Sequence, residues 1–249
     1  MVELSIIIAT YNSGKTLKSC LDSIVTQLGN DGEILVIDGG SVDNTINIVE
    51  SYGSKIAYCV SEPDRGVYDA WNKGIEKAQG EWITFIGSDD EMLPNTLNLY
   101  REAIKKYPDR DIISGKLHFC KQDGSVIRDV GEPWNWNKFI HRKMSLAHPG
   151  MLHNKKCFER VGLFDTRYRI CADSDFLQRL GPHTKAAFID EFLVNMSEGG
   201  ISDSMEALKE GYLSRKRNKV LSPIENYFYY ISIILRMKLG KIRNYVRMH

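Results

Sequence analysis

Four acidic stretches carry residue types and spacings that could do chemistry. Ser88-Asp89-Asp90 follows directly on the apolar run Trp82-Ile83-Thr84-Phe85-Ile86. Two adjacent carboxylates at a strand end repel each other unless a cation lies beside them. Hard oxygen ligands suit Mg2+ or Mn2+ and leave positions for phosphate oxygens. A solvated turn, or a cap for the helix after Pro94, explains the same residues. Asp38 ends a second apolar run beside Gly39-Gly40, where small residues let a ligand approach the backbone. A plain turn with Ser41-Val42-Asp43-Asn44-Thr45 as a helix cap is the other reading. In the polar stretch Glu62 to Gly74, Arg65 precedes a predicted helix from Tyr68 to Ala78, where an anion would feel the helix N-terminus. Asp69 and Asn72 lie three apart on one face of that helix. An Asp-Arg surface pair with a helix cap accounts for them equally. Ala172-Asp173-Ser174-Asp175-Phe176 opens another predicted helix, so only one of its two aspartates is expected to face a pocket. That aspartate is either a working carboxylate or a favourable acid at a helix start.

The elements around these residues explain why they would meet. Ser5-Ile6-Ile7-Ile8-Ala9 and Glu33 to Ile37 are continuous apolar runs, as expected of strands buried on both faces. Ile56 to Val60, Trp82 to Ile86 and Asp111 to Ser114 supply further strands. Between them, Leu17, Cys20, Leu21, Ile24, Val25 and Leu28 fall at helical spacing, and helices are also expected around Ile46–Tyr52 and Leu97–Tyr107. This β-α-β-α alternation to about residue 115 predicts an α/β fold with a mostly parallel sheet and helices on both faces. Ligands of such sheets bind beyond the carboxyl ends of the strands. Thr10-Tyr11-Asn12, Asp38, Ser61-Glu62 and Ser88-Asp89-Asp90 all lie there. The loop after the first strand is not GxGxxG, so the dinucleotide fingerprint is absent.

Composition narrows the classes. The chain has 249 residues, 43% of them hydrophobic, enough for one substantial α/β domain. Net charge is +1, which points to no nucleic-acid partner. The charge is unevenly placed, with ten Lys/Arg against three acids from Met205 to His249 and an acidic body before it. Five scattered cysteines without a CxxC pair read as reduced thiols of a cytoplasmic protein. No apolar stretch approaches the roughly 20 residues needed to span a bilayer.

The order and context of these blocks resemble family 2 of the glycosyltransferases, inverting enzymes with the A-type (GT-A) fold. The matching stretches are Ser5 to Asn12, Val36 to Thr45, Asp69-Ala70-Trp71-Asn72-Lys73-Gly74, Gly80 to Asp90 and Ala172 to Phe176, spread over residues 3 to about 202. The block Glu62 to Ala70 looks like a subgroup that builds bacterial surface polysaccharides. The resemblance implies a metal-dependent transfer from a nucleotide-diphosphate sugar, with a UDP-sugar as the expected donor. The acceptor would be a glycan hydroxyl, expected on a polyprenyl-pyrophosphate lipid. It implies that Thr10, Tyr11, Asn12, Asp38, Arg65, Asp69, Asn72, Ser88 and Asp89 contact the nucleotide sugar, that Asp90 holds Mn2+ or Mg2+, and that Asp173 is the general base. Two departures are visible: Ala172-Asp173 stands where the family usually has Glu-Asp, and Asp38-Gly39-Gly40-Ser41 where it usually has Asp-Asp-Gly-Ser. The Gln-x-x-Arg-Trp pattern of processive synthases is absent, so one sugar per encounter is expected. His148, His153, Trp134 and Trp136 are candidates for the acceptor side, where imidazole could meet an acceptor phosphate; structural loop histidines are the alternative.

The resemblance places a catalytic domain at residues 1–204, with a nucleotide-binding half at 1–115 and an acceptor half at 116–204. Residues 205–249 form a helical tail. There Ile224 to Leu235 is rich in aromatic and aliphatic residues, and Arg236, Lys238, Lys241, Arg243 and Arg247 follow. This pattern suits an interfacial segment on anionic lipid, and so a peripheral position on the inner face of the cell membrane; a helix docked on the core is the alternative. Two rival functions are a nucleotidyltransferase and a non-catalytic sugar-nucleotide binding module. The first needs a Gly-rich basic loop to grip a triphosphate, and Thr10-Tyr11-Asn12-Ser13-Gly14-Lys15 is too sparse. Retention of Asp89, Asp90 and Asp173 together speaks against the second.

Overall fold

The computed structural model describes residues 2–141, 144, 146–199 and 204–248, with side chains described through Leu235. In the first half, β1 (Leu4–Thr10), β2 (Gly32–Asp38), β3 (Tyr58–Ser61) and β4 (Trp82–Gly87) alternate with α1 (Leu17–Val25), α2 (Thr45–Ser51) and α3 (Val67–Lys77). The four strands are parallel, in the order β3-β2-β1-β4. Successive side chains point to opposite faces of a strand. Ile6 and Ile8 of β1 and Ile34 and Val36 of β2 therefore join the cluster under α1 and α2. Ile7, Leu35 and Ile37 join the cluster under α3. Both faces being covered is why these strands read as unbroken apolar runs.

The second half adds β5 (Glu91–Met92), α4 (Thr96–Lys106), β6 (Ile112–Cys120), β7 (Val126–Val130), α5 (Trp136–Ile140), β8 (Leu152–Asn154), α6 (Lys155–Val161), α7 (Ala172–Leu180) and β9 (Ala186–Ser197). β8 inserts antiparallel between β4 and β6, and β9 runs parallel to β6. β7 forms a hairpin with β6, and β5 pairs with β9. Among the described residues the sheet has nine strands. Its parallel character belongs to the first half; the second half is mixed, and the strand expected at 111–114 extends to Cys120. Antiparallel insertions leave no helical crossover to betray them in sequence.

α8 (Met205–Arg217) and α9 (Pro223–Met248) close the chain. α8 is seated on α7: Ala207, Leu208, Ser214 and Arg215 are buried, and the Ser214 hydroxyl donates to Asp175 Oδ1 at 2.9 Å. The chain after residue 204 thus begins as part of the folded body. Among the described residues no helix is long and apolar enough to cross a membrane.

Candidate active site

The loops after β1 and β2 are built around one carboxylate. Asp38 is fully buried. Its Oδ1 accepts from the hydroxyls of Thr10 (2.8 Å) and Ser41 (2.5 Å). Its Oδ2 accepts from the Ser61 hydroxyl (2.6 Å) and from the backbone N–H groups of Gly40 (3.1 Å) and Ser41 (2.8 Å). Burial pushes the Asp38 carboxyl up, but donors from Ser41, Ser61 and Thr10 outweigh it and leave it below its ordinary value. Asn12 ties the two loops together, donating its N–H to Ser41 Oγ and accepting from Val42 N–H. Tyr11 is exposed beside them. Gly39 has a clear reason to lack a side chain, because a Cβ there would lie 2.8 Å from Asp64 Oδ2. Asp64, from the loop after β3, thus brings a carboxylate to the space that a side chain at position 39 would take.

At the end of β4, Asp89 Oδ1 and Asp90 Oδ2 converge over Gly87. A Cβ on Gly87 would meet them at 2.9 and 2.8 Å. Asp90 is buried and Asp89 exposed. Asp90 accepts N–H groups from Gly87 (3.2 Å) and from Ser197 at the end of β9 (3.0 Å). Burial, and then the Asp89 charge, push the Asp90 carboxyl up to about 7. A cation held here would reverse that push, since it removes the unpaired charge. No cluster of three or more His, Cys, Asp or Glu side chains suited to a metal occurs among the described residues. Asp89 and Asp90 would supply one or two carboxylates to a hard cation such as Mg2+ or Mn2+, which takes its remaining ligands from other oxygens. Ser88 faces across to the first loop, its hydroxyl 2.7 Å from that of Ser13.

Asp173 lies in the first turn of α7 and lines a cavity of about 330 Å3 with His148, Arg128 and Phe139 among its walls. The hydroxyl of buried Tyr68, on α3, lies 3.1 Å from Asp173 Oδ1 and 2.8 Å from the carbonyl of Ile170. Asp175, two residues on, points the other way. It is buried against α8 and paired with Arg179 at 2.9 Å. His148 Nε2 is buried without a hydrogen-bond partner among the described residues, and burial pushes its imidazole down to about 4. It is therefore neutral at physiological pH, which leaves it a hydroxyl partner rather than a counter-charge for phosphate.

The family model for glycosyl transferase family 2 matches residues 5–160, well over half the chain. This protein belongs to that family. A PGL/p-HBAD biosynthesis glycosyltransferase of Mycobacterium bovis is 29% identical over 211 residues, covering 81% of this chain and 79% of that protein. A structure of S. aureus TarS residues 1–349 in complex with UDP-GlcNAc aligns with a TM-score of 0.72 at 18% identity, covering 94% of this chain and 72% of that one. The mannosyltransferase PcManGT from Pyrobaculum calidifontis, in complex with GDP-Man and Mn2+, aligns with a TM-score of 0.62 at 19% identity, over 86% of this chain and 64% of that one. This chain spans 39% of the longer TarS chain that it also matches. The likenesses to the solved structures fix the fold as that of the A-type glycosyltransferases.

Within this glycosyltransferase the remaining expected site residues divide. Arg65 is largely exposed, and its guanidinium pairs with Asp69 Oδ1 at 3.0 Å; Asp69 Oδ2 also accepts the Arg65 N–H. The pair sits at the start of α3 and lines a smaller cleft of about 210 Å3 with Tyr168 and Arg169. Asn72 does not reach it. Its side chain makes a reciprocal pair with the backbone of Phe164, donating to the carbonyl (2.9 Å) and accepting from the N–H (3.0 Å). One turn separates Asp69 from Asn72, but the second faces the loop before α7 and braces it. His153 is fully buried on β8, in register with Ile83 and Ile112 and edge-on to Phe85. It is a core residue, not an acceptor-side one. Trp134 and Trp136 are half-buried and back Phe139, with ring centroids 4.8 and 6.1 Å from it. They support the cavity wall from behind. Sequence reasoning passed over Tyr68, Asp64 and Ser197. The first two lie in the Glu62–Ala70 block and could have been found there; Ser197 enters only through the pairing of β9 and carries no local signal.

Proposed function

We propose that this family 2 glycosyltransferase is a metal-dependent, inverting enzyme that transfers one sugar from a nucleotide diphosphate, a UDP-sugar, to a hydroxyl of a lipid-linked glycan in bacterial surface polysaccharide assembly. The observation that carries the reading is the convergence of Asp89 and buried Asp90 over Gly87, an arrangement that calls for a cation beside it. The UDP-GlcNAc and GDP-Man named in the TarS and PcManGT structures support a nucleotide-sugar donor. The name of the mycobacterial relative, a PGL/p-HBAD biosynthesis glycosyltransferase, supports sugar transfer as a step of a biosynthetic pathway.

Thr10, Tyr11 and the Asp38-centred loop would hold the nucleotide, with Asp64 beside Gly39 adding a carboxylate. Asp90, with Asp89, would hold Mn2+ or Mg2+, which when bound offsets charge on a departing diphosphate. Arg65 would add a cation on the phosphate side. Asp173 would take the proton from the acceptor hydroxyl as the oxygen attacks the anomeric carbon. The bond to the diphosphate breaks as the new one forms, and its electron pair leaves with the nucleotide. One base and one displacement give inversion, so an α-linked donor yields a β-linked product. Neutral His148 would hydrogen-bond the acceptor in the same cavity. Asp173→Asn should bind UDP normally and lose transfer by at least about 100-fold; normal turnover in that variant sinks the assignment.

For the tail, the supporting observation is a stripe on α9. Ile224, Tyr227, Phe228 and Leu235 are exposed and fall three, four and eleven residues from the first, on one helical face. The side chains of Arg236, Lys238, Lys241, Arg243 and Arg247, which carry the basic half of the expectation, lie outside the described residues. We read this stripe as a contact with anionic lipid at the inner face of the membrane. Binding to phosphatidylglycerol vesicles that survives Tyr227→Ser/Phe228→Ser unchanged would remove it.

A further inference from the structure

The candidate base follows a loop that α8 holds from outside, through the Glu210 carboxylate and through the Cys171 thiol, which donates to the Ala207 carbonyl at 3.3 Å. Three successive backbone N–H groups, those of Arg169, Ile170 and Cys171, point to the carboxylate of Glu210 on α8. The distances are 2.9 Å to Oε1, then 2.8 and 3.0 Å to Oε2. Consecutive N–H groups facing one way form an anion-binding concavity, and bonds to a carboxylate are about twice as strong as neutral ones. These N–H groups immediately precede α7, and Asp173 is its second residue. On its other side the same segment is tied to the site, because the Ile170 carbonyl accepts the Tyr68 hydroxyl that also meets Asp173 Oδ1. Glu210 and Tyr68 thus grip residues 169–171 from opposite sides, and Asp173 follows from where that segment is fixed.

A second set of bonds joins α8 to α7 itself without touching that segment. Ser214 and Asn218 donate to Asp175 Oδ1, each at 2.9 Å. This set seats α8 on α7. The Glu210 contact does something separate, since it fixes the approach to the helix rather than the helix itself.

We propose that Glu210 is a positioning residue for Asp173, so that α8, beyond the family-matched segment, completes the catalytic geometry. The inference rests on the reading of Asp173 as the base. Turnover is read as nucleotide released from whichever of UDP-GlcNAc, UDP-Glc, UDP-Gal and GDP-Man the wild-type chain hydrolyses fastest, with water in the acceptor's place. Misplacement of a reacting group by about 1 Å costs about 100-fold. Glu210→Gln is therefore expected to lower kcat by roughly 30- to 100-fold, with the Kd for UDP unchanged and faster amide exchange confined to residues 166–173. Asn218→Ala, which loosens the other set, should lower Tm and leave kcat at 20 °C near the wild-type value. Adding Glu210→Gln to Asp173→Asn should cost nothing further, because the two act through one group. Wild-type kcat in Glu210→Gln, with Asp173→Asn inactive, overturns this inference alone, as does an equal loss of kcat in Asn218→Ala. Normal turnover in Asp173→Asn overturns the base reading and this inference with it.

Discussion

The two parts of the proposed site are built differently. On the proposed donor side, the ends of β1, β2 and β3 organise around Asp38, whose five hydrogen-bond donors come from Thr10 and Ser61 at strand ends and from Gly40 and Ser41 in the loop just after β2. Its geometry is pre-formed and its polar groups are paired. On the proposed acceptor side, Asp173 depends on partners far away in the chain. Tyr68 lies 105 residues before it, and Glu210 reaches back 39 to 41 residues to the loop ahead of α7. The buried imidazole of His148 there keeps a nitrogen without a hydrogen-bond partner among the described residues. A site fixed by neighbouring strand ends can be stiff by itself. A site assembled from a loop and two helices is set by whatever grips that loop, which is where substrates can differ between relatives on one fold.

The contrast can be broken most severely on the donor side. Asp38→Ala would strand donors in a buried loop, so we expect it to cost about 3 kcal/mol of stability. Nucleotide binding should go with it. Urea melts and UDP calorimetry on the same preparation check both, and a stable variant that still binds UDP would mean the loop does not depend on its carboxylate.

The buried neighbours His148 and His153, with ring centroids 5.2 Å apart, should respond to pH instead. Burial holds His148 at about 4, and burial followed by the neighbouring His148 holds His153 well below its ordinary value. Folded pKa values below the unfolded ones mean that the unfolded chain binds more protons. Stability is then fully present above about 6.5 and is lost as pH falls through the window down to about 4. For His148 the loss between pH 7 and pH 5 is about 1–2 kcal/mol. His148→Gln should flatten that part of the Tm-against-pH curve, and an acid limb identical to the wild type would remove histidine burial as its cause. The smallest effect is expected from Tyr68→Phe, which removes one hydroxyl from Asp173 and Ile170. A loss of about 1 kcal/mol corresponds to roughly fivefold in kcat, with UDP affinity intact. A change in UDP affinity rather than kcat would place Tyr68 on the donor side.

Legibility in the sequence follows the same division. The proposed donor side is readable because buried parallel strands leave continuous apolar runs, and the polar residue ending each run must lie at the sheet's carboxyl edge, which points to Asp38 and Asp89-Asp90. Asp173 and Asp175 were separable in principle, since neighbours two apart on a helix face opposite ways, and the structure gives Asp173 to the cavity and Asp175 to α8. His153 misled because a titratable residue on a short antiparallel strand carries no periodic signal, and β8 spans only Leu152–Asn154. Asn72 misled for another reason: its helical spacing from Asp69 is right, but spacing does not say what lies opposite, and a loop 92 residues away does. Glu210 could not be found at all, because the donors it satisfies are backbone groups.

The central claim, a nucleotide-diphosphate site completed by a divalent cation at Asp90, is tested most directly by calorimetry with UDP, GDP and CDP, each with and without Mn2+, on the wild-type chain and on Asp90→Ala. The account predicts that UDP binds best, that binding strengthens with Mn2+, and that the Mn2+ effect disappears in Asp90→Ala. Absence of nucleotide binding under every condition, or Mn2+-dependent binding that Asp90→Ala leaves untouched, would contradict it.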